Sequence, residues 1–95
     1  MDERSRPVLL ISLDWMRAGD GRKNLGAASV VAALRHRGIE VVWMDDAVNR
    51  TGFDIEEVLR QARESIRELG PGVLVGIGCY VWNEREVQQL SLIHI

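Results

Sequence analysis

Along the chain, continuous apolar runs alternate with stretches in which apolar residues recur every three or four positions. Val8 to Leu13 is a nearly continuous run, the pattern of a parallel strand buried on both faces. Leu25 to Arg37 follows a helical period, with Leu25, Ala28, Val31, Ala32 and Leu34 on one side. Its small residues (Ala27, Ala28, Ser29, Ala32, Ala33) suit close packing on a sheet. Arg35, His36 and Arg37 place positive charge in the last turn, and Gly38 supplies a left-handed stop. Ile39 to Met44 is a second strand-like run.

Asp54 to Leu69 carries the clearest helical repeat, through Ile55, Val58, Leu59, Ala62, Ile66 and Leu69. Asp54 and Glu57 have the spacing of a capping box, Phe53 and Val58 that of a hydrophobic staple. Gly70-Pro71 ends the helix. Val73 to Ile77 is a third strand. Asn83 then opens another helix, where Asn83 with Glu86 repeats the box and Trp82 with Val87 the staple.

Strand–helix alternation predicts an α/β fold with a parallel sheet. The expected architecture is a flavodoxin-like, Rossmann-like doubly wound sheet, reduced to about three strands in order 2-1-3 with flanking helices. Ligands of such sheets sit beyond the carboxyl ends of the strands, at the point where the winding reverses. Two loops face that point: "LDWMRAGDG" after strand one and "GIGCYVWNE" after strand three. The stretch "MDDAVN", from Met44 to Asn49, reads as a neighbouring loop after strand two.

Ninety-five residues make one small domain. Composition is 46% apolar and 27% charged with net charge −2, which is globular and offers no electrostatic case for nucleic acid or membrane partners. Residues 1–7 read as a tail, too acidic for a secretory signal, and no stretch reaches transmembrane length. The single cysteine, Cys79, excludes an internal disulfide and fits a reducing, cytoplasmic setting. The last six residues, "LSLIHI" (90–95), match the translation of a common sequencing-adapter end. They are expected to be an artefact that breaks the final helix, leaving 8–89 as a partial domain.

Several chemistries are excluded by spacing. Gly19-Asp20-Gly21 begins like a dinucleotide fingerprint, but Asn24 stands where the third glycine belongs. No Walker-type phosphate loop is present. Asp45 and Asp46 follow strand two, the wrong place for the acidic pocket of phospho-receiver domains. Cys79 has no neighbouring His in sequence to activate it, and Tyr80 and Trp82 suit either a core cap or a ligand contact.

"VLVGIGCYVWNEREVQQL", with its Tyr-Val-Trp-Asn-Glu, resembles the N-terminal cobalamin-binding domain of radical S-adenosylmethionine (radical SAM) enzymes. "KNLGAASVVAALRHRGIEVVWMDDAVN" looks like that family's first helix and second strand. The resemblance covers roughly residues 8–89, and its Tyr-x-Trp-Asn stretch is the most specific part. It implies a domain holding cobalamin, a corrinoid, over its strand ends. It also implies a further C-terminal radical SAM domain with a 4Fe-4S iron–sulfur cluster and S-adenosylmethionine, for which this chain's one cysteine does not suffice. The parent protein would be methyltransferase-like, and this part alone not catalytic.

Other corrinoid domains carry Asp-x-His-x-x-Gly after strand one. Here that spacing reads Asp14-Trp15-Met16-Arg17-Ala18-Gly19, with Met16 where the cobalt-binding His would stand. A thioether is a soft, weak donor to cobalt(III), so binding without a His axial ligand is expected, with no metal ligand assigned. The implied cofactor-binding residues are Asp14, Trp15, Met16, Gly19, Asp45, Gly78, Cys79, Tyr80, Val81, Trp82 and Asn83. Trp15, Met16, Tyr80, Val81 and Trp82 would form an apolar floor, with Asp14 and Asn83 at the rim. Gly76 and Gly78 would let the strand approach the ligand closely. Two alternatives stay open: the N-terminal half of a sugar-nucleotide glycosyltransferase domain, and a cofactor-free flavodoxin-like module. The last predicts a Trp-Met loop packed into the core or a partner.

Overall fold

The computed structural model describes residues 6–16, 25–79 and 83–93. The elements are β1 (Val8–Asp14), α1 (Leu25–His36), β2 (Val41–Ala47), α2 (Ile55–Leu69), β3 (Leu74–Ile77) and α3 (Glu84–Ile93). The three strands form one parallel sheet in the order β2-β1-β3. This is the expected α/β class and strand order, that of the first half of a flavodoxin-like sheet.

Alternation along β1 separates two faces. Leu9, Ile11 and Leu13 are buried together with Val58, Leu59 and Ala62 of α2, Val73, and Leu90 of α3. This is the main core. On the opposite face Val8 and Leu10 are only half-buried, and Leu74 of β3 is exposed. Helix α1 packs on β1 and β2. Its Val31 is buried, but Ala32, expected on the inward side, is exposed, as are Ser29 and Ala33. Strand β1 is therefore not buried equally on both faces as its apolar run suggests, because the described helices cover the two faces unequally. Gly76 serves this thinner face. A Cβ there would stand 3.2 Å from Leu10 Cδ1, a tight contact with the half-buried side chain opposite it on β1.

Helix α1 ends in a Schellman motif. Gly38 N–H donates to Arg35 O at 3.0 Å and Ile39 N–H to Leu34 O at 3.1 Å, with Gly38 at φ +77°. Helix α2 starts on Asp54, whose Oδ1 accepts from Glu56 N–H at 3.0 Å. Glu57 does not supply the other half of a capping box in the described hydrogen bonds. Its carboxylate accepts from Arg60 and from Gln61, neighbours three and four residues on.

The Arg60 guanidinium lowers the Glu57 carboxyl from its usual 4.5 to about 2, with a smaller contribution from Gln61. A carboxylate with a depressed folded-state pKa stabilises above its unfolded value and loses that contribution as pH falls through the folded one. The thermal midpoint is expected to fall between about pH 4.5 and about pH 2. The drop shrinks in Glu57→Gln, and also at high salt, because the pair is exposed to solvent. Circular dichroism melts across that window check it, and identical pH profiles for the two proteins would remove the pair's role.

Two boundaries differ from expectation. Strand β2 starts at Val41 because Ile39 closes the α1 cap, and it runs past Met44 to Ala47 because β1 continues alongside to Asp14. Asp45 and Asp46 are therefore strand residues, opposite Ser12 and Leu13, and not loop residues. Helix α3 does not break at Gln89 but continues to Ile93. Leu90 lies three residues beyond the half-buried Val87 and joins the main core with 2% exposure.

Candidate functional site

The carboxyl edge of the sheet is where β1, β2 and β3 release their loops. Beyond Asp14 the chain leaves β1 with two large apolar side chains turned to solvent, Trp15 at 57% and Met16 at 49% exposure. Both lie beside the reversal of winding between β1 and β3. Their backbone is held from the β2 side. Val48 N–H donates to Asp14 O at 2.9 Å, one step past the last ladder pair, Asp14 with Ala47. Next, Met16 N–H donates to Asn49 Oδ1 at 2.8 Å, and Asn49 Nδ2–H donates to Met16 O at 2.6 Å.

The turn that carries Asn49 is itself tied down. Arg50 grips both oxygens of Asp46, Nε to Oδ1 at 2.7 Å and Nη2 to Oδ2 at 3.0 Å. Asp46 Oδ1 also accepts from Ala47 N–H at 2.8 Å. The Arg50 guanidinium holds the Asp46 carboxyl below its ordinary range, against a partial desolvation that pushes the other way. Beneath this turn a cavity of about 60 Å³ lies between Ile11, Leu13, Met44, Asp45, Asp46, Val58 and Gln61. It has room for a few water molecules and not for an organic cofactor. On the same strand ends, Trp43 Nε1–H donates to the buried Ser12 Oγ at 2.9 Å.

At the other side of the edge, Gly78 N–H approaches Ile11 O at 3.4 Å, and Cys79 is exposed. Asn83 is fully buried. Its Nδ2 donates to Leu13 O and to Gly78 O, both at 2.9 Å. Both amide hydrogens are thereby spent on the ends of β1 and β3. Asn83 braces the two strands and the start of α3, and the ligand-rim donor expected of it is not available.

Of the expected site residues, Asp14, Trp15, Met16, Gly78 and Cys79 lie at the carboxyl edge. Asp45 is in β2, lines the small cavity, and stands opposite Ser12. Gly19, Tyr80, Val81 and Trp82 lie outside the described residues. Among the described residues, no group of three or more His, Cys, Asp or Glu is placed to hold a metal ion. No helix there is long and apolar enough to cross a membrane. Asn49 and the Asp46–Arg50 pair are contributors the sequence pattern did not single out. Their only local signal is the four-residue spacing of Asp46 and Arg50 around a turn-forming Asn.

Fold and site together define a small α/β protein, consistent with a truncated flavodoxin-like sheet, that exposes Trp15 and Met16 at its carboxyl edge. No family model, curated protein or solved structure matches the chain.

Proposed function

We propose that the carboxyl edge of this sheet binds a corrinoid, cobalamin, as the N-terminal part of a radical SAM enzyme. The observation that carries the reading is the exposure of Trp15 and Met16 where the winding reverses. A cofactor-free module would pack these side chains into the core or against a partner; the core does not take them, and the Met16 backbone is held by Asn49. Large apolar side chains held out at a ligand-binding edge suit a broad, partly apolar disc. The resemblance around Tyr80-Val81-Trp82-Asn83-Glu84 chooses the corrinoid over a sugar nucleotide.

The described residues fit this group as an open shelf and not as an enclosing pocket. Trp15 and Met16 would underlie the disc, with Asp14 and the Gly78-Cys79 backbone bordering it. The bound cofactor supplies a cobalt centre able to carry a methyl group. Met16 stands where the resemblance would place a His, so the residue at that position would offer cobalt no imidazole. S-adenosylmethionine and the iron–sulfur cluster belong to a further domain in this reading.

Titration of the protein with hydroxocobalamin tests it. Binding is expected to shift the visible spectrum and to retain corrinoid through gel filtration. Trp15→Ala is expected to weaken binding about tenfold or more, as loss of a large apolar side chain that the ligand would cover implies. No spectral change and no retained corrinoid at saturation would overturn the reading. Met16→His is expected to move the spectrum toward nitrogen ligation. An unchanged spectrum in a variant that still binds removes Met16 from beneath the cobalt.

A further inference from the structure

Strand β2 ends at Ala47, yet the chain leaving β1 remains tied to the β2 side for two residues more. The tie is a side chain. Asn49 presents an acceptor to Met16 N–H and a donor to Met16 O, so one side chain satisfies both backbone groups of Met16. An asparagine amide carries the same donor and acceptor pair as a peptide group. It therefore extends the tie between the two chains past Ala47, where β2 ends. Trp15 lies between the Asp14 contact with Val48 and the Met16 contact with Asn49. Its backbone is bounded on both sides.

The turn bearing Asn49 is rigid for its own reason. Asp46 and Arg50 close it with two parallel hydrogen bonds, Arg50 N–H donates to Ala47 O at 3.1 Å, and Arg50 Nη1–H donates to Thr51 O at 3.2 Å. Bidentate guanidinium–carboxylate pairs fix geometry as well as adding energy. A linked series of contacts thus runs from Asp46 through Arg50 and the turn to Asn49, and from there to Met16.

We propose that Asn49 is a positioning residue for the ligand-binding edge, setting the backbone of Trp15 and Met16 before the ligand arrives. The role rests on the corrinoid reading for the identity of the ligand but not for the brace itself. Preorganised loops bind more tightly because ordering costs less on association. Asn49 has no apolar surface to offer the disc. Its effect on affinity therefore passes through the Trp15-Met16 backbone.

The test compares wild type with Asn49→Ala and Asn49→Asp. Three readouts are needed: hydrogen exchange of the Met16 amide, the urea midpoint, and hydroxocobalamin affinity. In Asn49→Ala, Met16 exchange is expected to rise about fivefold and the dissociation constant to rise about fivefold, the factor one net hydrogen bond supplies. The urea midpoint should barely move, since both contacts are exposed to solvent. Asn49→Asp keeps the acceptor for Met16 N–H but sets a carboxylate against Met16 O, and is expected to lose affinity as well. Unchanged Met16 exchange in Asn49→Ala would overturn the brace. Faster exchange with unchanged affinity, or a fallen urea midpoint with unchanged affinity, would overturn the positioning role. Failure of wild type to bind hydroxocobalamin would instead sink the corrinoid reading, and Met16 exchange would still decide the brace.

Discussion

Replacing Asn83 with Ala is expected to destabilise the protein by about 3 kcal/mol, because two inward-facing carbonyls lose their donors at once. Leu13 O and Gly78 O sit at the ends of β1 and β3, and the side chain that serves both is fully buried. Loss of a donor to a buried acceptor costs roughly 1–3 kcal/mol, and folded domains have only about 5–15 kcal/mol in hand. Asn83→Asp sharpens the test. A carboxylate would face two carbonyl oxygens, so the neutral acid is favoured and its folded-state pKa is raised. Stability in that variant is fullest below the unfolded carboxylate pKa and is lost as pH rises through the folded one. Urea titrations at neutral and acid pH read both effects. A loss under about 0.5 kcal/mol in Asn83→Ala, within the range of ordinary surface substitutions, would show that the brace is not needed.

The second large effect separates the faces of the sheet. Leu9→Ala is expected to cost about 3–4 kcal/mol, since Leu9 has no exposure and packs within the main core beneath α2 and α3. Leu10→Ala, one residue on, should cost less than half as much. Leu10 is half-buried on the face where Leu74 is exposed, and the site relaxes more readily around the deletion. Chemical denaturation with matched m-values decides the ratio. Equal losses at the two positions would mean that the α1 face is as well packed as the other.

What could be read from the residues divides by the range of the interactions that decide them. Helix α2 was plain because its cause is local: apolar residues at three- and four-residue spacing, Asp54 before the first turn, Gly70 after the last. The strand order followed from the alternation of periods. The end of β2 was not visible, because Asp45 and Asp46 look like loop residues and are held in the sheet by Ser12 and Leu13, over thirty positions away. Asn83 looks like a helix cap in sequence. Its partner Leu13 is 70 residues distant, and no local pattern encodes a contact of that separation. Gly76 is a similar case, since the atom a Cβ there would meet belongs to Leu10 on the neighbouring strand. At the candidate site, the position of Trp15 and Met16 at the strand ends followed from topology. Their exposure, and the asparagine that holds them, did not.

The central strand of the sheet is also the first of the three in chain order. During synthesis β1 emerges with Leu9, Ile11 and Leu13 unpaired, and β2 reaches it only after α1 has been made. The helix that covers these side chains, α2, begins at Ile55, and the second edge of β1 stays open until Leu74. A nascent chain growing by roughly 5–20 residues per second therefore carries an uncovered apolar strand for several seconds. The non-local pairing that closes the sheet is intrinsically slow to form. The arrangement that places Trp15 and Met16 at the reversal of winding thus makes the first strand of the sheet the one that waits for partners on both of its edges.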